Sequence, residues 1–309
     1  MWRKFSFNKI LADDEISILF MPGGPSDVDF HPKVTMSRNM HPYVWKELLR
    51  YSPTTFIFYK YFLIRFFQPT SFRKFDAIIF LNSFVQRHML KLLKNYRGFT
   101  TIISHGINLR FSGLEREFKA INNYSNGNRF KILYVSKIDV HKHQYNVAEA
   151  ILELANEGYP IEILLIGSVD DRNSFIRLSK VMANDRKAIV KYIGDVEHDA
   201  LPNYYSASDL FIFASSCENL PNILLEAMSN RLPIACSQIL PMPEILKDAG
   251  IYFDPESKSD IKEAVRKFLD SRDLRREKAI RALILSKEYS WKRTASETAH
   301  FLHTTALKF

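Results

Sequence analysis

The segment DLFIFASSCENLPNILLEAM, Asp209–Met228, reads as a strand, a polar turn and a helix in direct succession. The apolar run 209–214 predicts a short buried strand, and the apolar, helix-forming composition of 222–229 predicts a helix. Glu218 lies in the predicted turn, and Glu226 lies within the predicted helix. A strand that leads directly into a helix is the repeating unit of a doubly wound parallel sheet.

The same alternation runs through the rest of the chain. In the second half, strands are predicted at 130–135, 161–166, 188–193, 209–214, 233–236 and 250–253, and helices at 143–158, 172–183, 199–206, 222–229, 242–248, 259–272, 274–287 and 291–306. In the first half, strands are predicted at 16–21, 33–37, 76–81 and 100–104, and helices at 44–50, 55–67 and 83–94. Short apolar runs separated by helices are typical of buried parallel strands. The fold class is therefore predicted to be α/β.

Length and a polar linker divide the chain into lobes. At 309 residues it is long enough for two domains of about 100 to 200 residues each. The turn-rich stretch 122–128 predicts a boundary, which gives a first lobe at 1–124 and a second lobe at 129–288. Residues 289–309, which contain the helix predicted at 291–306, complete the chain as a separate terminal segment.

The net charge of +9 is carried entirely by the first half. Residues 1–128 contain 18 Lys and Arg against 9 Asp and Glu, whereas residues 129–309 contain 25 of each kind. The basic part includes the aromatic run 56–67, which Lys60 and Arg65 interrupt. This run is too short and too charged to span a bilayer, which needs about 20 mostly apolar residues. It suits a helix that lies on anionic lipid through residues 56–74, or a core helix whose cations reach solvent.

Cysteine content and the amino-terminal residues bear on the compartment. The chain has two cysteines, Cys217 and Cys236, which are too few for a disulfide framework in a protein of this size. Residues 1–5 lack the apolar core of a signal peptide. We therefore expect a cytoplasmic protein that also contacts the inner face of the cell membrane.

The turn before the predicted helix 222–229 has the chemistry of an anion site. A helix start presents unpaired N–H groups and the positive end of its dipole, so a diphosphate can bind there. Glu218 could accept hydrogen bonds from neutral hydroxyls, and a buried Glu226 would need donors such as the vicinal hydroxyls of a ribose. Lys137 and Lys142 flank the loop after the strand at 130–135 and could clamp a pyrophosphate. Taken singly, these residues are more readily interpreted as ordinary solvated surface charges.

The spacing Glu218-x7-Glu226, with Asn219-Leu220-Pro221-Asn222 between the two carboxylates, resembles the signature of the family 4 glycosyltransferases. Further similar segments occur in family order at 104–111, 194–209, 243–244 and 289–291, so the resemblance covers about 75–305. It implies a GT-B fold, in which two Rossmann-like lobes face a cleft and a terminal helix within 289–309 crosses back to the first lobe. It also implies retaining transfer of a hexose from a nucleotide-diphosphate sugar, without a metal or another cofactor.

The resemblance assigns roles to individual residues. Glu218 would hold the sugar hydroxyls, Glu226 the ribose, and Lys137 and Lys142 the diphosphate leaving group. Asn39 is the candidate at the strand end where the family commonly has a histidine, with His41 as the weaker candidate. Further substrate contacts are assigned to Asn219, Leu220, Pro221, Asn222, Gly167, Val196 and His105.

Some positions depart from the family pattern. Lys137 stands where the family has arginine, which replaces a two-pronged donor with a point charge. Asn230 follows the signature helix where the family has glycine, and it is expected to adopt the positive φ of that turn. The first lobe is predicted to be shortened, because no strand with a Gly-rich loop precedes residue 16 and the pair Gly23-Gly24 resembles a later connection.

A metal site is not predicted. Asp27 and Asp29 form an Asp-x-Asp pair like the one that binds metal in the other major glycosyltransferase fold, but their loop has no other feature of a donor site.

The acceptor is expected to be a glycan or a lipid-linked glycan of surface polysaccharide or lipopolysaccharide synthesis. Three alternatives remain: a nucleotide-sugar epimerase of similar architecture, an inactive module that only binds a nucleotide sugar, and a nucleic-acid-binding protein suggested by the pI of about 9.3. The balanced charge of the second half and the lack of a basic recognition helix disfavour nucleic acid.

Overall fold

A computed structural model describes residue 11 and the ranges 16–23, 28–113 and 115–309. Backbone contacts group the chain into two compact units. The first unit contains the described residues up to Gly106 together with Glu218–Leu220 and Tyr289–Phe309. The second unit contains Ile107–Cys217 and Pro221–Glu288.

The helices and strands follow the predicted alternation. In the first unit, the strands are β1 (Leu19–Met21), β2 (Lys33–Met36), β3 (Ala77–Phe80) and β4 (Phe99–Ile102), and the helices are α1 (Trp45–Leu48), α2 (Phe56–Phe72) and α3 (Ser83–Leu93). The second unit contains β5 (Phe130–Val135), α4 (Gln144–Asn156), β6 (Ile161–Ile166), α5 (Arg172–Ala183), β7 (Val190–Gly194), α6 (Leu201–Ser206), β8 (Leu210–Phe213), α7 (Asn222–Ser229), β9 (Ile234–Ser237), α8 (Met242–Leu246), β10 (Gly250–Phe253), α9 (Lys258–Asp270) and α10 (Arg272–Ser286). The last helix, α11 (Trp291–Ala306), belongs to the first unit.

The boundary between the units differs from the predicted position at 124–129, because residues from Ile107 onward pack on the second unit. Phe111 is 1% exposed, and its ring makes an edge contact with that of Tyr205, with 5.7 Å between the ring centroids. The Arg116 guanidinium donates to the carbonyls of Tyr205 and Ser208, both at 2.5 Å. A polar, turn-rich composition marks solvent exposure, but it does not show which unit a segment packs against.

The first unit is built on a four-stranded parallel sheet in the order β1-β2-β3-β4. Its centre is β3, in which Ile78, Ile79 and Phe80 are fully buried. Asn82 begins α3 by accepting a hydrogen bond from the main-chain N–H of Val85 at 2.9 Å. Buried parallel strands between helices form the α/β layer arrangement that the apolar runs predict.

Helix α2 runs to Phe72, five residues beyond the predicted end at 67, and contains Pro69. Thr55 caps its amino end by accepting from the N–H of Phe58. Pro69 and Phe72 are buried at its carboxyl end, so packing in the core extends the helix past a residue that usually ends one.

The second unit is built on a six-stranded parallel sheet in the order β10-β9-β8-β5-β6-β7. The strand β5 pairs with β6 along its whole length, from Phe130 opposite Ile161 to Val135 opposite Ile166. Its other neighbour is β8, with Ile132 opposite Leu210. The strand order therefore reverses between β5 and β8, and ligands of open α/β sheets bind at the carboxyl ends of the strands at such a point.

The turn after α7 is formed differently from the prediction. Arg231 has the positive φ of 55°, whereas Asn230 has a φ of −84°. The side chain of Asn230 is buried and its amide donates to the carbonyl of Phe111 at 3.0 Å. This tertiary hydrogen bond holds Asn230 at negative φ, so the left-handed position falls one residue later.

Within the described ranges, every helix is too short or too polar to cross a lipid bilayer.

Candidate functional site

The candidate site lies where the strand order reverses in the second unit. The strand β5 continues into the loop 136–143, and β8 continues into the turn that leads to α7. These two connections emerge side by side, because β5 and β8 are neighbours in a parallel sheet. The two connections are far apart in the chain, and they are neighbours only because β5 and β8 are adjacent in the sheet.

Hydrogen bonds fasten the two connections to each other. The main-chain N–H of Ser216 donates to the carbonyl of His141 at 2.9 Å, and the Ser216 hydroxyl lies 3.0 Å from Nε2 of His143. His143 is 1% exposed and has a φ of 52°, in the left-handed region. The buried contact at Ser216 explains why a residue other than glycine occupies this strained position.

The turn supplies an uncapped helix start. Pro221 precedes α7 at the N-cap position and has no side-chain hydrogen bond to the first turn of the helix. Asn222, the first residue of α7, is exposed. The first N–H groups of an α-helix have no partners within the helix, so this end can bind an anion.

Two lysines stand on the loop after β5. The ammonium of Lys142 lies 5.3 Å from the ring centroid of Phe213, the last residue of β8, and is therefore close to the start of the turn. The ammonium of Lys137 donates to Asp170 at 2.9 Å, and this hydrogen bond raises the pKa of Lys137. Lys142 thus lies at the reversal point itself, whereas Lys137 is paired with a carboxylate of the loop after β6.

Glu226 lies inside α7 and is 7% exposed. The hydroxyl of Tyr205 donates to its Oε2 at 3.0 Å. Burial raises the pKa of Glu226, while the Tyr205 hydrogen bond and the neighbouring His198 oppose that shift. Burial also raises the pKa of Tyr205 well above its usual value, which keeps this hydroxyl a donor. The sequence predicted that a buried Glu226 needs a donor, and Tyr205 is one.

The other oxygen of Glu226 faces His198, which in turn contacts Arg110. Nε2 of His198 lies 3.6 Å from Oε1, beyond hydrogen-bond distance. The guanidinium of Arg110 contacts Nδ1 of His198 and the carboxylate of Asp199. A guanidinium can only donate, so Nδ1 accepts and the proton of a neutral His198 lies on Nε2, towards Glu226.

Glu218 occupies the turn between β8 and α7 and is half-buried. Glu218–Leu220 belong to the first unit, and Asn219 forms hydrogen bonds within it. The amide of Asn219 donates to the carbonyl of Ser37 at 3.1 Å, and the main-chain carbonyl of Asn219 accepts from the amide of Asn82. Leu220 is 9% exposed. The hydrogen bonds found for Asn219 therefore position the main chain of the turn beside Glu218.

Gly167 and Val196 belong to neighbouring connections of the second unit. Gly167 follows β6 with a φ of 145°, and a Cβ there would lie 2.2 Å from the carbonyl oxygen of Ser136. The space next to the loop after β5 therefore admits only glycine at this position. Val196 lies in the loop after β7 and is half-buried.

The remaining candidates lie in the first unit. Asn39 follows β2, is exposed, and accepts from the N–H of His41 at 3.0 Å. The ring of His41 stacks on Tyr61 at 5.7 Å. His105 follows β4, and its ring stacks on Trp291 at 5.6 Å.

Sequence reasoning missed the residues that surround Glu226. His198 and Arg110 lie 88 residues apart in the chain and share no motif. Asp170, the partner of Lys137, was missed for the same reason. The sequence offered one indication of these residues. Each of them lies in a connection that follows a predicted strand or ends a predicted lobe.

No metal cluster occurs among the described residues. Asp27 lies outside the described residues, and Asp29 lines a cavity of the first unit.

A family model described as "Glycosyl transferases group 1" matches residues 115–282, which is more than half of the 309 residues. Among curated proteins, the chain is 26% identical over 166 residues to O-antigen chain mannosyltransferase B of Escherichia coli. That alignment covers 54% of this chain and 44% of the relative. The chain spans less than half the length of the curated relatives it matches.

Solved structures share the fold. Sucrose-phosphate synthase from Thermosynechococcus elongatus superimposes with a TM-score of 0.75 at 16% identity, over 98% of this chain and 77% of that one. Anabaena HepE in complex with UDP and glucose superimposes with a TM-score of 0.69 at 15% identity, over 88% of this chain and 71% of that one. At these identities the likeness concerns the fold, which is of the GT-B type.

Proposed function

Because the chain belongs to the group 1 glycosyl transferases, we propose that it moves a hexose from a nucleotide-diphosphate sugar to a glycan or lipid-linked acceptor. The prediction of family and of a GT-B fold is confirmed. The transfer, its retaining stereochemistry and the identity of the acceptor belong to the proposal. Its main support is the meeting of an uncapped helix start, Lys142 and a buried Glu226 at the reversal point of one sheet.

The proposal assigns the diphosphate to the start of α7. Its unpaired N–H groups and the ammonium of Lys142 would bind the phosphate oxygens and stabilise the charge that develops as the diphosphate leaves. Lys137 would act more weakly, because Asp170 already neutralises part of its charge. UDP bound to Anabaena HepE, a protein of the same fold, supports a nucleoside diphosphate as the ligand class.

The proposal assigns the ribose to Glu226. Tyr205 holds Oε2, which leaves Oε1 on the side of His198. A ribose hydroxyl that donates to Oε1 would offset the cost of burying the carboxylate. Glu218, in the turn before α7, is assigned to the hydroxyls of the transferred sugar.

The acceptor contacts are assigned to the first unit, with Asn39 and His105 at the carboxyl ends of its strands. The relative in Escherichia coli is an O-antigen chain mannosyltransferase, which supports a surface glycan as the acceptor class.

Peripheral attachment to the inner face of the cell membrane is also part of the proposal, and helix α2 supports it. The helix packs through one side, where Arg65 donates to the carbonyl of Pro42 at 3.0 Å and lies 4.1 Å from the ring of Trp45. Its other side exposes large apolar residues, namely Phe56, Tyr59, Phe62, Leu63, Phe66 and Phe67, at fractions between 38% and 80%. Lys60 is exposed within the same helix. Aromatic and aliphatic side chains beside a cation suit the interface of an anionic bilayer.

Donor binding is tested by titrating UDP- and GDP-sugars into the wild-type chain, Glu226→Gln and Lys142→Ala, with calorimetry as the measurement. Removing a hydrogen bond to a charged group costs about 1.5–3 kcal/mol, so each variant should bind about ten- to a hundredfold more weakly. Lys267→Ala is the matched control, since it removes an exposed lysine on α9 of the same unit. Equal affinity in all four proteins would refute the site assignment.

Transfer is tested separately by chemical analysis of the reaction products with a lipid-linked acceptor. Donor binding without transfer or hydrolysis would select a binding module, and conversion of the free sugar nucleotide to its epimer would select an epimerase.

Membrane contact is tested by vesicle flotation of Phe67→Ser, with Leu307→Ser as the control. Both residues are exposed in the first unit, at 67% and 73%. Burying a phenylalanine stabilises by about 1.5–3 kcal/mol, so Phe67→Ser should partition at least about tenfold less to anionic vesicles. An equal effect of the two variants would contradict contact through α2.

A further inference from the structure

A cavity of about 710 Å³ lies in the first unit, at the edge of the sheet where the strands begin. Lys33 opens β2, Phe99 opens β4, and Asp76 directly precedes β3, and all three line the cavity. This edge is opposite to the carboxyl ends of the strands, where the acceptor contacts are proposed. The cavity is therefore separate from the candidate site.

The walls of the cavity are basic. They carry four cations, Lys33, Arg73, Lys74 and Arg97, and two carboxylates, Asp29 and Asp76. The carboxylate of Asp76 is already used inside the fold. It lies 2.8 Å from Nδ1 of His31 and accepts from the main-chain N–H of Lys33 at 2.8 Å. The remaining charge favours an anionic ligand.

Two of the cations are fixed in place. Lys33 is 4% exposed, and its ammonium donates to the carbonyl of Val28 at 2.7 Å. Arg73 donates from Nε to the carbonyl of Leu93 at 2.7 Å, at the end of α3. A buried ammonium is costly unless charges or dipoles compensate it. Asp76 and Asp29 attract the ammonium of Lys33, and an anion in the cavity would add to that compensation.

The other two cations are exposed and can adjust to a ligand. Lys74 and Arg97 both line the cavity from solvent-accessible positions. Phe99, which is 38% exposed, adds an apolar wall. Cations around a phosphate with an apolar surface beside them match a ligand that carries both a phosphate and a hydrocarbon part.

The cavity adjoins the exposed face of α2. Arg73 caps that helix with helical dihedral angles, φ −63° and ψ −18°, so the helical path continues to Lys74. Lys74 follows Phe67 by seven residues and Leu63 by eleven, which are about two and three helical turns. The lysine therefore lies in line with the apolar face that we assign to the membrane.

We propose that this cavity binds the phosphate of an anionic lipid headgroup, with Lys74 and Arg97 as its adjustable ligands. The proposal rests on the membrane contact of α2 proposed above. The lipid would enter beside α2, and its phosphate would lie between the fixed and the adjustable cations. Bound lipid would then hold the first unit on the membrane surface in one orientation.

The test compares the double variant Lys74→Ala/Arg97→Ala with Lys91→Ala/Lys292→Ala. The control pair removes the same charge from exposed positions of the first unit that do not line the cavity. Flotation uses phosphatidylcholine vesicles that contain phosphatidic acid. Each cation near an anionic surface contributes about 1 kcal/mol, so the cavity variant should bind about thirtyfold more weakly and the control about threefold at most.

A membrane-free arm uses glycerol 3-phosphate and inorganic phosphate, with binding followed by calorimetry on the full chain. We expect glycerol 3-phosphate to bind the wild type and the control, to bind the cavity variant at least about tenfold more weakly, and to compete with vesicles. Equal vesicle binding by the two double variants overturns the inference, and so does inorganic phosphate binding that leaves vesicle affinity unchanged. Wild-type protein that binds no vesicle at all instead refutes the membrane contact of α2.

Discussion

The hydrogen bond between Tyr205 and Glu226 offers a direct test of how the site is held. Tyr205 is fully buried, and its hydroxyl donates to Oε2 of Glu226 at 3.0 Å. Replacing Tyr205 with phenylalanine keeps the ring, whose centroid lies 5.7 Å from the ring centroids of both Phe111 and Phe211. The substitution therefore removes the donor and leaves the packing almost unchanged.

The expected loss of stability follows from the charge and burial of the acceptor. A hydrogen bond to a charged group contributes about 1.5–3 kcal/mol to the free energy of unfolding. The whole contribution is lost when the acceptor stays buried without a donor. For a domain of about 150–250 residues, each kcal/mol lowers Tm by about 2–4 °C. Tyr205→Phe should therefore lower the Tm of the second unit by about 3–12 °C at neutral pH.

A double-mutant cycle isolates the pair. Tyr205→Phe in a Glu226→Gln background should cost less than in the wild type, which gives a coupling free energy of about 1 kcal/mol or more. Tyr124→Phe is the matched control, because its hydroxyl donates to another carboxylate of the same unit, Asp209, at 2.7 Å. We expect its effect to add to that of Glu226→Gln.

Far-ultraviolet circular dichroism is the suitable measurement, with urea as denaturant. Tryptophan fluorescence is less suitable for the second unit, because the tryptophans among the described residues, Trp45 and Trp291, both belong to the first. A coupling free energy below about 0.5 kcal/mol, within the usual error of additivity, would refute the role of Tyr205 as the donor that holds Glu226.

Three further predictions concern the second unit. Burial raises the pKa of Glu226 in the folded state, so Glu226 lowers the free energy of unfolding as pH rises from about 4.3, its unfolded pKa, through the raised folded value. Urea titrations at several pH values should show that fall in the wild type and not in Glu226→Gln, and identical pH profiles of the two proteins would contradict it. Gly167→Ala should lower the free energy of unfolding by about 2–3 kcal/mol, or prevent folding, because the added Cβ would clash with a carbonyl oxygen. Gly194→Ala, at a position with a φ of 87° and open space, should lower it by about 1 kcal/mol, and equal losses in urea titrations would show that the clash is relieved. Asp170→Asn should change the free energy of unfolding by less than about 1 kcal/mol, because the ion pair between Asp170 and Lys137 is exposed. The same variant should bind UDP severalfold more tightly in calorimetry because the Lys137 ammonium is released, and weaker binding would exclude Lys137 as a phosphate ligand.

Much of the second unit, and the last helix of the first unit, could be predicted from periodicity. The predicted bounds of β5, β6, α5, α7, β10 and α11 coincide with the observed ones. These segments combine a strong apolar pattern with clear end signals, such as Gly167 after β6 and Asp171 at the cap of α5. Local sequence is sufficient where one segment carries both its burial pattern and its stop signal.

Elsewhere tertiary contacts decided the bounds. The strand β7 begins at Val190 rather than 188, because Asp185 accepts from the N–H groups of Ile189 and Val190 and holds Ala188 in a turn with a φ of 50°. Helix α2 continues past Pro69 because its end is packed in the core. Neither effect is visible in a window of a few residues.

The sequence by itself determined the family, the βα alternation and the two carboxylates at Glu218 and Glu226, because each is written in consecutive residues. Only the tertiary structure decided what surrounds them. The fold brings Tyr205 and His198 to Glu226 and Arg110 to His198, and it gathers residues from the beginnings of three strands around the basic cavity of the first unit. Charge and burial act through space, so the partners of a buried group follow from the fold and not from its neighbours in the chain.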